Sequence, residues 1–212
     1  RINLEYISAN PTGPLHAGHA RGAVFGDALA SLLNEVGYKV IREYYINDAG
    51  SQIEKLVESS LLRYDECNGK NIKEIPEGLY PGEYLQEVGK ALLKKYGKNL
   101  KQNSKEDIFN LVREVSLEVI MRMIREDLYK LGIEMDVFTS EHNIISGNLL
   151  TDILTILEEK NLTYYGSLDP PKGVDPTKWE KREQFLFKST IYGDDSDRAL
   201  KKSDGSWTYF AT

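Results

Sequence analysis

The chain has 212 residues, long enough to bury a real core as one large domain or two small ones. Its hydrophobic content of 41% is ordinary for a globular protein, its longest apolar runs fall far short of a membrane span, and no signal-peptide pattern opens it. One cysteine, Cys67, excludes an internal disulfide framework or thiolate zinc site, and the net charge of −6 argues against indiscriminate nucleic-acid binding while leaving room for a local basic patch. These features fit a reducing, cytoplasmic setting.

Ile2-Asn-Leu-Glu-Tyr-Ile7 alternates apolar and polar residues and predicts a strand, followed by a Pro/Gly loop from Asn10 to Pro14. From Ala17 to Val36, apolar residues at 24, 25, 28, 29, 32, 33 and 36 keep helical spacing, and Gly37 supplies a stop. Tyr38 to Ile46 predicts a second strand, Asn47 to Gly50 a turn, and Ser51 to about Tyr64 a second helix. Strand, helix, strand, helix implies parallel strands with a right-handed crossover. Residues 1–65 therefore look like the first half of a nucleotide-binding α/β sheet.

Residues 66–183 break that rhythm. A loop punctuated by glycine and proline precedes a helix ending near Tyr96. Ser104 and Asp107 make a capping pair for a long helix that Gly132 ends. A short strand (134–140), a helix (147–160) and a hairpin-like stretch follow, and strand patterns return at 184–190 and 206–212. The simplest organisation is an α+β module, 66–183, interrupting a partial Rossmann-like sheet that resumes over 184–212. The chain starts without methionine in one strand pattern and stops inside another, as a piece of a longer protein would.

The chemistry concentrates in Ser8-Ala-Asn-Pro-Thr-Gly-Pro-Leu-His-Ala-Gly-His-Ala-Arg-Gly22, which holds two of the three histidines, His16 and His19. A helix N-terminus presents unpaired N–H groups and partial positive charge, which favour a phosphate. Gly18 leaves space for a flat base against the backbone. His16 and His19 add donors for a phosphoryl group as charge builds on it. These parts suit adenylyl transfer, in which a bound carboxylate attacks the α-phosphate of ATP. A zinc site is the weaker reading, because no carboxylate lies at helical spacing beside the pair and His142 is remote.

Three further features carry a functional and a plain reading. Asp48 and Gly50 follow the second strand, where α/β sheets open their ligand crevices; they could touch substrate or cap the next helix. Asp194, Asp195 and Asp197 invite calcium, but the glycine and closing glutamate of an EF-hand loop are missing, so a solvated turn is preferred. Lys90, Lys94, Lys95, Lys98, Lys101 and Lys105 run without an intervening acid. They could contact RNA phosphates, but on composition alone an exposed face is the simpler account.

The Glu5–Gly22 string resembles the HIGH signature region of class I aminoacyl-tRNA synthetases, and within them the arginyl-tRNA synthetase family. Arg42-Glu-Tyr-Tyr-Ile-Asn-Asp-Ala-Gly-Ser-Gln-Ile53, Phe187-Lys-Ser-Thr190 and Gly193 to Thr212 resemble it too, in the family's order. The resemblance implies that His16, Gly18 and His19 hold ATP and stabilise the transition state. It further implies that Glu5, Ser8, Asn10 and His16 line an arginine pocket that Tyr209 joins from the far strand. A guanidinium suits a carboxylate and a phenol, and Asn10 can bond an ammonium or carboxylate. Spacing alone would make Glu5 an outward strand residue and Tyr209 a core aromatic; only the resemblance reverses that.

The resemblance also implies ATP with Mg2+ as co-substrate, no protein-bound metal, and L-arginine and its tRNA as partners, for a monomer away from membranes. A second arginine-binding acid and a KMSKS-type loop would lie beyond Thr212. Some family members lack that loop's lysine and carry one three positions before the first histidine. Gly13 stands there, so a lysine is expected in the downstream loop. On their own these 212 residues are expected to be inactive, as a non-catalytic fragment. A small-molecule nucleotidyltransferase is the alternative enzyme, but it leaves the arginine-pocket residues and the insertion unexplained.

Overall fold

The computed structural model describes residues 1–170, 182–203 and 205–211. The chain divides into two units, residues 1–142 and 143–212.

The first unit begins as the alternation predicts. Strand β1 (Ile2–Glu5) leads through helix α1 (Ala17–Glu35) to strand β2 (Val40–Ile46), which lies parallel to β1 with Ile2 opposite Val40 and Glu5 opposite Glu43. Three helices follow, α2 (Ser51–Cys67), α3 (Leu85–Tyr96) and α4 (Lys105–Lys130), with a 3-10 turn at Gly97–Gln102 between the last two. Strand β3 (Val137–Ser140) then returns beside β2, again parallel, giving the order β1-β2-β3. The chain is thus mixed α/β with a parallel sheet, and the helical excursion lies between β2 and β3.

Apolar burial organises that excursion. Leu56, Val57 and Tyr64 of α2, Leu85, Val88 and Leu92 of α3, and Val112, Val115, Ile120, Ile124 and Leu128 of α4 are each at most 2% exposed. Each such side chain contributes about 1.5–3 kcal/mol relative to exposure. At Gly89 helices α2 and α3 meet so closely that an added Cβ would stand 2.6 Å from the Arg63 carbonyl oxygen. The buried serines of this layer are bonded, Ser59 donating to the Lys55 carbonyl at 2.6 Å and Ser116 to Ser60 at 2.9 Å or to the Val112 carbonyl at 2.7 Å. Ser104 caps α4 as expected: its hydroxyl accepts from the Asp107 N–H at 3.1 Å and donates to the Asp107 carboxylate. Helix α2 runs three residues beyond the expected Tyr64, because its last turn is anchored by Tyr64 donating to the Gly97 carbonyl at 2.8 Å.

Helix α1 turns its small residues inward. Ala23, Gly26 and Ala30 are buried, while Val24, Phe25, Leu32 and Val36 are 55–72% exposed. Small inward residues let the helix lie close to the sheet, tied by Asp27 to Arg42 of β2 at 3.1 Å.

Helix α5 (Glu141–Ser146), which the sequence did not announce, is followed after Gly147 and Asn148 by the second unit's helix α6 (Leu149–Glu159), the helix expected over 147–160. Strands β4 (Thr163–Gly166), β5 (Gln184–Phe187) and β6 (Arg198–Lys201) form an antiparallel sheet around buried Phe185, Leu186 and Leu200. The strand expected over 184–190 stops at Phe187, where Asp197 captures the Thr190 N–H at 3.0 Å and a 3-10 turn, Ser189–Tyr192, begins. The strand expected over 206–212 does not form among the described residues. Only Trp207 bridges to Lys201, and the chain then turns as the Ala211 N–H bonds the Thr208 carbonyl at 3.0 Å. A strand pattern needs a partner along its length, and here β6 pairs through one residue.

Candidate functional site

The connection between β1 and α1 departs from ordinary backbone. Ile7 and Ser8 have φ of 70° and 39°, the left-handed region, which costs most for a β-branched residue. Its bonds come from both sides. The Tyr6 N–H bonds the Glu43 carbonyl at 3.2 Å, and the Ser8 N–H bonds the Tyr6 carbonyl at 3.0 Å. The Ser8 hydroxyl donates to the Glu5 carboxylate and accepts from the Tyr45 N–H at 3.0 Å. Tyr44, fully buried, donates to the Ala9 carbonyl at 2.8 Å, and Tyr84 donates to the Thr12 carbonyl at 2.6 Å. Burial pushes the Tyr44 phenol well above its ordinary range, so it stays protonated as a donor. Asn10 stands exposed at the loop's tip.

The two histidines open α1 together. His16 is the N-cap; its Nδ1 accepts from the N–H groups of Gly18 at 3.1 Å and His19 at 3.4 Å. His19 answers through its own Nδ1, which accepts from the His16 N–H at 3.3 Å, closing a capping box. The rings stack with centroids 3.6 Å apart and planes 19° from parallel. A nitrogen that accepts carries no proton, so each imidazole bears its hydrogen on Nε2. Burial and then the neighbouring His16 hold the His19 pKa below its ordinary value, favouring this neutral form. Each ring thus spends one nitrogen on the cap and keeps one N–H donor. Gly18 fits against His16, since a Cβ there would stand 3.0 Å from the His16 ring.

Neighbouring positions sort by what holds them. Glu43, opposite Glu5, accepts from Thr139 and Asn3, and these donors hold its carboxyl below the ordinary range against the effect of burial. Asp48, 7% exposed, accepts from the Ser140 hydroxyl at 2.8 Å and the His142 N–H at 2.9 Å, and pairs with Arg113 at 3.3 Å. It does not cap α2; Gly50 is the N-cap, at φ 79°. Asp48 instead ties the carboxyl end of β2 to β3 and to α4.

The lysine run is less free than its sequence suggests. Lys90 pairs with Glu87 at 2.8 Å, Lys95 with Glu114 at 3.1 Å, and Lys101 with Asp65 at 2.6 Å. Lys94, Lys98 and Lys105 have no ion-pair partner among the described residues. In the second unit the acidic run is a turn whose carboxylates serve the chain. Asp194 grips Arg198 at 2.5–2.6 Å, and Asp197 accepts from Thr190 and from the Tyr164 hydroxyl. Tyr209 belongs to this unit and lies in a turn, 74% exposed.

Six of the sequence-derived residues therefore meet on one connection: Glu5 bonded to Ser8, then Asn10, then His16 bonded to Gly18 and His19. Tyr44, Tyr45 and Tyr84 brace it, and none stood out in the sequence. A tyrosine in a strand pattern reads as core, and its loop partner lies 35 residues away for Tyr44 and 72 for Tyr84. The arrangement offers two neutral N–H donors at the positive end of a helix beside a carboxylate and an amide. That set can hold a phosphate next to a cationic substrate.

Comparison with known proteins bears on the same residues. The family model for the catalytic domain of class I tRNA synthetases for arginine matches residues 1–212. An arginine–tRNA ligase from Ehrlichia chaffeensis is 57% identical over 211 residues, covering 100% of this chain and 36% of the relative. One from Parvibaculum lavamentivorans is 56% identical, covering 99% of this chain and 36% of the relative. Among solved structures, an arginyl-tRNA synthetase from Campylobacter jejuni superposes with a TM-score of 0.78 at 37% identity, over 99% of this chain and 42% of that one. The Thermus thermophilus arginyl-tRNA synthetase, at 19% identity and a TM-score of 0.61 over 99% of this chain and 34% of its own, shares the fold. The chain spans about a third of the length of the curated relatives it matches.

Proposed function

The chain belongs to the catalytic-domain family of class I arginyl-tRNA synthetases, and from that premise we propose that the protein it forms part of attaches L-arginine to its tRNA at the expense of ATP. The carboxylate of arginine attacks the α-phosphate, giving arginyl-adenylate and releasing pyrophosphate. The arginyl group then passes to the terminal ribose of the tRNA. The family resemblance suggests that the first step itself needs the tRNA. Mg2+ accompanies ATP as part of the substrate. The reading extends to a monomer working in the cytoplasm.

One observation carries this reading: the reciprocal histidine cap, which leaves two Nε2–H donors at the N-terminus of α1. In it His16, Gly18 and His19 hold the phosphates, and the donors strengthen as charge builds on phosphorus. Glu5, already oriented by Ser8, takes the guanidinium, and Asn10, Ser8 and His16 hold the amino-acid end. Asp48 and Gly50 set the carboxyl end of β2 rather than contact substrate, since the Asp48 carboxylate already serves three protein donors.

The test is aminoacylation by the full-length protein with tRNA and each amino acid in turn. Arginine alone should be charged, with pyrophosphate release dependent on it. Charging of a different amino acid, or of none, would overturn the reading.

A further inference from the structure

The loop from Ile7 to Leu15 has little core of its own. Ala9 and Pro11 are its buried residues, and it contains no helix or strand. Two left-handed residues at its start pull it away from relaxed backbone. Its shape must therefore be imposed by bonds from outside. Two of these are alike in kind: a phenol donating to a loop carbonyl, Tyr44 to Ala9 at 2.8 Å and Tyr84 to Thr12 at 2.6 Å.

The two phenols come from unrelated elements. Tyr44 rises from the centre of β2 with no exposure, its ring packed on Phe138 with centroids 5.4 Å apart. Tyr84 stands just before α3, half-buried, with its ring where a Cβ on Gly13 would lie 3.0 Å away. A side chain at position 13 would press on that ring, so Gly13 and Tyr84 form one fitted pair. The two carbonyls divide the loop. Ala9 lies between Ser8 and Asn10, whereas Thr12 begins the run through Gly13 to the His16 cap.

We propose that Tyr44 and Tyr84 are positioning residues with separate duties, Tyr44 holding the Ser8–Asn10 segment against arginine and Tyr84 holding the approach to the histidine cap against ATP. The proposal rests on the arginine-and-ATP reading of this loop. It assigns the excursion before α3 a part in nucleotide binding although it touches no nucleotide. Removing only the phenol oxygen leaves each ring packed and one loop carbonyl without its partner.

The experiment uses the full-length enzyme with Tyr44→Phe and Tyr84→Phe, measuring arginine and ATP constants separately in aminoacylation. Tyr44→Phe should raise the KM for arginine about tenfold with the ATP constant within about twofold, and Tyr84→Phe should do the reverse. A purely structural role would shift both constants together, in step with the loss of melting temperature. That outcome, or two unchanged constants, overturns the proposal. Should Tyr44→Phe fail to fold, the split in Tyr84→Phe alone decides it. If the wild-type enzyme charges no arginine, the reading of the loop fails first, and that result is distinct from a wild-type enzyme that works and variants that show no split.

Discussion

The helical layer of α2, α3 and α4 and the connection from β1 to α1 lie in one unit and are held by different forces. In the layer, order follows from area: a dozen apolar side chains lose nearly all exposure, and polar bonds only tidy what packing has decided. In the connection, apolar burial is slight and order follows from direction. Each bond to Ala9, Thr12 and His16 fixes one backbone group in a strained loop, and the Ser8 hydroxyl ties it to β2. Packing tolerates side chains that are only roughly right, whereas a directed bond is lost with one atom. A surface that must meet a ligand cannot bury itself, so it borrows rigidity from neighbours that can.

Substitutions can break this contrast. The largest loss of stability should come from Gly89→Ala, whose Cβ meets the Arg63 backbone; about 3 kcal/mol is expected by urea unfolding. In the full-length enzyme its arginine and ATP constants should stay unchanged below the unfolding transition. A shifted substrate constant would mean that layer and loop are not separable. Asp65→Asn should cost less, about 1–2 kcal/mol, because its partners Lys70 and Lys101 are 64% and 45% exposed and solvent screens the pair. No loss of stability would show that packing alone holds the corner. Ser8→Ala should cost about 1 kcal/mol in stability yet weaken arginine binding, since it frees Glu5 and the Tyr45 N–H together.

The smallest effect is a pH dependence confined to the loop. The His19 pKa is held below its ordinary value of 6.5, so as pH falls below that value the unfolded chain takes up the proton first. The contribution is whole above 6.5 and is lost as pH falls through the window beneath it. Protonation also places a hydrogen on the Nδ1 that accepts from His16, so the His16 amide should be less protected at pH 5 than at pH 7, measured against the intrinsic exchange rate at each pH. Amides in α2–α4 should not follow. An equal loss of protection in both regions would contradict the separation.

Much of this was legible in the sequence, for local reasons. The parallel start, the long capped α4 and the helix mouth bearing His16, Gly18 and His19 each follow from local spacing, whereas Glu5, Ser8 and Asn10 are pointed to by the family resemblance alone. What was not legible depends on distant partners. The lysine run looked unopposed because Asp65 and Glu114 reach it only after folding. Trp207 to Thr212 had strand composition, but β6 gives it one bridge. In the sequence the histidines favour a ligand-donor role over a pair merely satisfied near a helix end. The structure places them in a capping box, which the sequence hides because a histidine N-cap is outside the usual Ser, Thr, Asp and Asn set.

That double duty is the centre of the account, and His16→Asn in the full-length enzyme tests it most directly, since asparagine can replace the cap acceptor but not the outward Nε2–H. Single-turnover formation of arginyl-adenylate should fall about 10²–10³-fold while the melting temperature stays close to wild type. A variant that forms adenylate at the wild-type rate would show that His16 only caps the helix, and would contradict the account.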